Sequence, residues 1–217
     1  MTTAPTTDRT IQKQKTRRKL LEAAIELSAE KGFSSLSLRE ISKKAGITPA
    51  GFYKHFHDMD ELGLALIDEV GLALRQLLRE SRRTIDASGS AVRASVEAFI
   101  RYITENQNLF RVLQGERQGS STPFRKAIFA EMARFMEEVA DDLDRGSKLL
   151  NQPLRDAGLA AEVIVAVAFT LGGEVLDLPK HRRGELVERL IKEVKMVLRG
   201  ALVTPVSSRQ KPAKAVK

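Results

Sequence analysis

The stretch Ser37 to Phe56, SLREISKKAGITPAGFYKHF, decides how the rest of the chain is read. Leu38, Ile41 and Ala45 recur at helical spacing, so a first short helix carries one apolar face. Gly46 stands where that helix should stop, because glycine enters the left-handed region at little cost. Thr48 is a good N-cap, and Pro49 suits the first turn of a second helix, where its missing N–H would have had no partner. Phe52 and Phe56 lie one turn apart on the inner face, which leaves Ala50, Gly51, Tyr53, Lys54 and His55 outside. The pattern is a helix-turn-helix. Most glycine-linked helical hairpins never touch DNA, but this outer face is small where base edges would approach. It also ends in Tyr-Lys-His, three donors able to reach phosphates.

Charge placement points the same way. Residues 1–57 hold 11 Lys/Arg against 5 Asp/Glu, whereas residues 58–203 hold 21 against 23. The segment 204–217 adds four basic residues and no acid, for a net charge of +8. A basic head on a near-neutral body suggests a nucleic-acid-binding module attached to something else. Hydrophobic residues make up 42% of the 217, enough for a substantial core. The absence of cysteine excludes disulfides, thiolate nucleophiles and zinc–thiolate sites, and it fits a cytoplasmic location. Polar, basic residues 1–19 do not resemble a signal peptide. The longest apolar run, Leu159–Leu171, is interrupted by Glu162 and reads as too short to span a bilayer, so a soluble protein without membrane contact is expected.

Residues 1–12, Thr-rich with one proline, read as disordered. Lys13, Lys15, Arg17, Arg18 and Lys19 lead into a helix expected over about Gln14 to Lys31. The usual fate of such a run is a solvated face, but at a helix start beside a reading head it is placed to grip phosphates. Phe33 is expected under the following pair of helices. Ser37, Arg39 and Lys44 complete the candidate DNA-facing set of a domain spanning 13–57. A body over 58–203 follows. Asp58 and Glu61 form a capping box for a long helix, Met59 to about Ile85, and Ser88-Gly89-Ser90 breaks the chain. Further helices are expected over Ala91–Glu105, a short segment through Leu113, Ser120 to about Arg145, Leu159 to about Leu176, and Arg182–Leu202, with Gly146–Gly158 looser. The tail 204–217 reads as disordered and basic. The expected fold is all-α, about nine helices: a three-helix head on a larger bundle.

The order of a basic first helix, then Ser37-Leu-Arg-Glu-Ile, Ala45-Gly46-Ile47 and Gly51-Phe-Tyr-Lys-His-Phe56, resembles the TetR-type repressors. A narrower likeness extends over most of residues 13–178. KTRRKLLEAA, LRQLLRESRRTI, LFRVLQGERQGSSTPFRKA and AFTLGGEVLDL resemble the repressors that control unsaturated fatty acid synthesis and acyl-chain desaturation. The family resemblance implies that Thr48, Pro49, Ala50, Gly51, Tyr53, Lys54 and His55 enter the major groove of a palindromic operator. It also implies a homodimer joined through its last two helices, with Val167, Leu171, Gly172, Leu186, Leu190 and Val194 as candidates. Gly172-Gly173 would allow another backbone to come close, although plain core helices would show the same stripes.

The narrower resemblance implies a long-chain acyl-CoA effector, with saturated and unsaturated chains acting oppositely, and no catalytic cofactor or metal. Phe99, Tyr102, Ile103, Leu109, Phe110, Leu113, Phe135, Val163, Val167 and Phe169 could wall a tunnel, though each is more readily plain core. Arg111, Arg117 and Arg125, near the helix start at Ser120-Ser121-Thr122, could hold the CoA phosphates or sit in structural salt bridges. Three other functions compete with this one: a repressor sensing a drug or another hydrophobic molecule, an acyl-CoA enzyme, and a ligand-free architectural DNA binder. The enzyme is disfavoured because no GxSxG, HExxH or P-loop pattern occurs, His55 and His57 sit in or beside the reading head, and His181 has no evident acid partner in sequence. The architectural binder is disfavoured by the large body beyond the head.

Overall fold

Nine α-helices and two 3-10 turns build the described residues, 5–83 and 90–202, of this computed structural model. The helices are α1 (Pro5–Lys31), α2 (Leu38–Lys44), α3 (Pro49–Phe52), α4 (Met59–Arg83), α5 (Ser90–Glu105), α6 (Gln107–Glu116), α7 (Thr122–Leu149), α8 (Ala157–Asp177) and α9 (Arg183–Ala201). Among these residues the only extended pairing is one isolated bridge, Leu154 to Leu202. The architecture is all-helical, as the periodicity predicts. Residues 1–4, the expected end of the long helix at Ile85, most of the Ser88–Ser90 break and the tail 204–217 lie outside the described residues.

Two boundaries differ from the expectation for identifiable reasons. The first helix begins at Pro5, so residues 5–12 are helical rather than disordered. Proline is well suited to a first helical position, and nothing between it and Lys13 breaks a helix that the packed segment further on has nucleated. Helix α7 runs past Arg145 to Leu149. Gly146 does not terminate it because the left-handed position falls on Asn151, at φ 56, one residue beyond the C-cap Leu150.

In the head, Leu20, Ile41, Phe52 and Phe56 are buried together with Leu62 and Leu66 of α4, so the reading unit and the first turns of α4 share one core. Phe33 reaches the body: its ring lies 4.6 Å from that of Phe124 at the start of α7. Beside it, the buried Glu116 of α6 accepts hydrogen bonds from the backbone N–H of Phe33 (2.8 Å) and of Ser34 (3.3 Å), and from the Ser34 hydroxyl (2.8 Å).

The body corrects the expected dimer residues. Leu171, Gly172, Leu186, Leu190 and Val194 are buried inside the chain itself. Within the chain, the side chains of Ile103, Phe110 and Phe99 lie 3.0–3.2 Å from a would-be Cβ at Gly172. An apolar stripe marks burial but not which surface covers it, and here the body covers it. On the last two helices the large apolar residues left outward are Leu159 (58% exposed) and Val163 (39%) on α8 and Met196 (67%) on α9. Helix α8, at 21 residues, is long and apolar enough by length and composition to cross a membrane, contrary to the shorter run read from sequence. Its buried face packs on the rest of the body through Val165, Phe169 and Val175.

Because Leu190 is 0% exposed, Leu190→Ala should lower unfolding stability by about 2–5 kcal/mol at fixed protein concentration. Val163→Ala should cost far less. Urea denaturation of both variants checks this placement.

Candidate nucleic-acid interface and body cavities

Helix α2 starts on a full capping box: the Ser37 hydroxyl accepts from the Glu40 N–H (3.3 Å), and the Glu40 carboxylate accepts from the Ser37 N–H (3.0 Å). Lys31 at the end of α1 donates to the same carboxylate (3.0 Å), and with Ser37 it holds the Glu40 pKa down to about 2. At the other end of α2, Lys44 pairs with Glu26 of α1 (2.8 Å). These exposed pairs fix the angle of α2 on α1 more than they stabilise it. The turn closes at Gly46 (φ 71), with Ile47 N–H donating to the Ser42 carbonyl (2.9 Å) and Gly46 N–H to that of Lys43 (3.2 Å), a Schellman arrangement.

Helix α3 opens on Thr48, whose hydroxyl accepts from the Gly51 N–H (3.1 Å). It is shorter than the period suggests. Lys54 and His55 donate three residues back, to Gly51 (3.2 Å) and Phe52 (2.8 Å), so the last turn tightens beyond Phe52. Thr48, Pro49, Ala50, Tyr53 and Lys54 are exposed, and Gly51 and His55 are half-buried. Arg17 of α1 joins them, its guanidinium 4.8 Å from the centroid of the Phe56 ring. Burial, followed by the charges of Lys13, Arg17 and Lys54, pushes the His55 pKa below its ordinary value, and its Nδ1 is buried without a hydrogen-bond partner. Four cationic or protonatable groups thus gather where α1 meets the end of α3, a placement suited to a phosphate.

The other expected DNA-facing residues are less free. Ser37 is committed to its cap, Lys44 to Glu26, and Arg18 to Glu22 (2.9 Å), while Lys15 and Arg39 are exposed. Lys13, the first residue of the basic run expected to grip phosphates, belongs with the site. Its i, i+4 spacing places it on the same helix face as Arg17.

Among the described residues of the body, two apolar cavities lie between the helices. The larger, of about 120 Å³, lies between α5, α7, α8 and α9 and is walled by Val96, Phe99, Phe135, Val139, Ile164 and Val194, among others. The smaller, of about 30 Å³, lies against α4 and is walled by Ile67, Gly71, Leu74, Leu113, Glu131, Phe135 and Phe169, with Ile128 and Met132. Phe99, Leu113, Phe135 and Phe169 therefore line cavities as expected. Ile103 and Phe110 pack on Gly172 and line neither, as does half-buried Val167. Val163 points outward, because its position on α8 falls on the uncovered stripe. Tyr102 is half-buried, and burial, with the Glu69 charge adding, pushes its phenol up to about 12.

The three arginines do not converge on either cavity. Arg111 lies in a separate open groove and pairs with Asp177 (2.9 Å). Arg125 is spent on the Gly119 carbonyl and the Thr122 hydroxyl (3.0 Å). Arg117 keeps a buried Nε without a hydrogen-bond partner. Sequence reasoning missed the ionic wall of the smaller cavity: buried Glu131 pairs with Arg75 of α4 and with Arg134, and Arg75 also reaches Glu138 (3.3 Å). The signal was a carboxylate set among Ile128, Met132 and Phe135 on one helix face.

Residues 20–66 match the sequence family described as bacterial regulatory proteins, tetR family, and residues 89–197 match the tetracyclin repressor-like C-terminal domain. The fold is similar to that of the fatty acid degradation regulator FadR from Bacillus halodurans (TM-score 0.71, 19% identity, covering 85% of this chain and 95% of that one). It is also similar to FadR from Bacillus subtilis in complex with stearoyl-CoA (0.71, 17%, 84% and 98%). Escherichia coli NemR in its reduced form is another such structure (0.64, 22%, 88% and 100%).

Lys54→Ala should weaken binding to all DNA sequences alike and flatten the dependence of log affinity on log salt by about one unit, as a salt titration would read. Because the His55 pKa is lowered by folding, stability from its neutral form is present above pH 6.5 and is lost as pH falls through the folded value. Unfolding measured between pH 7 and pH 5 should show a steeper loss for the natural protein than for His55→Gln.

Proposed function

The chain belongs to the TetR family of bacterial regulatory proteins, whose members are DNA-binding transcription factors rather than enzymes, and we propose that it is a dimeric repressor controlled by a long-chain acyl-CoA. In this reading residues 13–57 read one half-site each, with α3 in the major groove. Ala50 and Gly51 lie near base edges, and Tyr53, Lys54, His55 and Arg17 lie on phosphates. So small a reading face carries few base-specific hydrogen bonds, and groove shape supplies part of the selectivity. The body, 58–203, holds the effector and the two-fold contact, which we place on the outward apolar residues Leu159, Val163 and Met196.

The observation that carries the effector reading is the pair of apolar cavities between body helices, next to the helix that continues from the head. The stearoyl-CoA bound to the Bacillus subtilis FadR, and the resemblance of this sequence to repressors of desaturation, favour an acyl chain as occupant. Two connections would carry its effect: α4, which starts directly after Phe56, and the Glu116 seat under Phe33 and Ser34. An effector shifts DNA affinity only through a difference in its own affinity for the two body states, in practice about 5–150-fold.

Operator binding with oleoyl-CoA and palmitoyl-CoA added in turn should give unequal affinities. Identical effects of the two chains would sink the sensing reading. A second reading, a repressor sensing another hydrophobic small molecule, is favoured by the size of the larger cavity, since roughly 150 Å³ of dry space holds a molecule such as benzene. Mass spectrometry of ligand extracted from the purified protein separates the two.

A further inference from the structure

We propose that Phe135 is the gate that sets how deep an effector's apolar tail reaches, and that the Arg75–Glu131 ion pair closes the far end. This rests on the reading that the body holds an apolar effector. Phe135 is buried in the wall of both cavities. On either side of it the space is small, about 120 Å³ towards α9 and about 30 Å³ towards α4, and neither alone takes a long chain. A swing of this one ring joins them into a channel running from Val194 of α9 to Ile67 of α4. The neighbouring rings are less free to move, because Phe99, Phe110 and Phe169 contact one another at 5.4–6.1 Å between centroids and two of them are seated on Gly172.

The far end of the channel is ionic. Glu131 lies one turn before Phe135 on the same face of α7, and its buried carboxylate pairs with Arg75 of α4, itself only 16% exposed along its side chain. An apolar tail cannot displace either partner without leaving an uncompensated buried charge, so the pair acts as a floor. Gly71 of α4 lies directly over it, and a Cβ there would overlap the Glu131 carboxylate. A tail that passes Phe135 therefore ends against α4 at its closest approach to α7. A tail too short to pass leaves α4 untouched. Reach past Phe135 is thus a specificity filter as well as a volume limit.

The test is isothermal titration of octanoyl-, palmitoyl- and stearoyl-CoA, with toluene and hexylbenzene as CoA-free probes, into the natural protein, Phe135→Ala and Val139→Ala. Val139 walls the larger cavity alone, so its truncation adds space without joining the two. Phe135→Leu repeats the measurement with a smaller perturbation of the core, for use should the alanine variant not fold. The preference for palmitoyl- over octanoyl-CoA, and for hexylbenzene over toluene, should rise about tenfold or more in the Phe135 variants and stay put in Val139→Ala. If the hydrocarbon preference rises while no acyl-CoA binds any form, the gate stands and the acyl-CoA reading falls. If acyl-CoA binds but the ratios are unchanged in the Phe135 variants, or move equally in Val139→Ala, the gate is overturned. It is overturned equally if neither hydrocarbon enters any form.

Discussion

A single buried carboxylate holds the two parts of this molecule in register. Glu116, at the end of α6, accepts three hydrogen bonds from Phe33 and Ser34 in the turn between α1 and α2. A carboxylate in that position is tolerated only because its lone pairs are filled, and filling them fixes the turn on the body. Phe33, its ring tilted against that of Phe124, extends the seat to the start of α7. The head is therefore attached through α4, which follows it in the chain, and through the seat that α6 and the start of α7 provide. A body that moves α6 relative to α4 must tilt the head, whereas one hinge alone would let it swing freely.

The remaining electrostatics divide by the same geometry. At the reading end Lys13, Arg17, Lys54 and His55 are gathered without an acidic partner among the pairs seen there, so positive charge is left over for phosphate. In the body several cations are answered by acids within the chain: Arg75 by Glu131 and Glu138, Arg111 by Asp177, and Arg93 by Glu188 and Glu97, which hold the guanidinium of Arg93 protonated well above its ordinary range. The +6 balance of residues 1–57 and the near-neutral balance of 58–203 are the sequence trace of this division.

Much of the head could be read without coordinates because its signals are local. Caps at Ser37 and Thr48, the stop at Gly46 and the buried pair Phe52 and Phe56 each depend on residues a few positions away. The body was legible as helices but not as surfaces. Leu190 and Val194 share a stripe that could equally have faced a partner, and only the packed chain assigns them to the core. The features joining distant segments, Glu116 to Phe33 and Glu131 to Arg75, link residues with no sequence pattern in common. Each shows itself only as a charge on an otherwise apolar helix face, which by itself names no partner.

In the proposed regulator, occupation of the body cavity is passed to the heads through the Glu116 seat. With no native cysteine, Lys43→Cys in exposed α2 gives one spin label per subunit, and pulsed electron resonance reads the distance between heads across a dimer. That distance should change when palmitoyl-CoA binds. In Glu116→Ala the change should be lost, although palmitoyl-CoA still binds. A head-to-head distance that is the same with bound effector and without it, or that shifts equally in Glu116→Ala, would contradict the account.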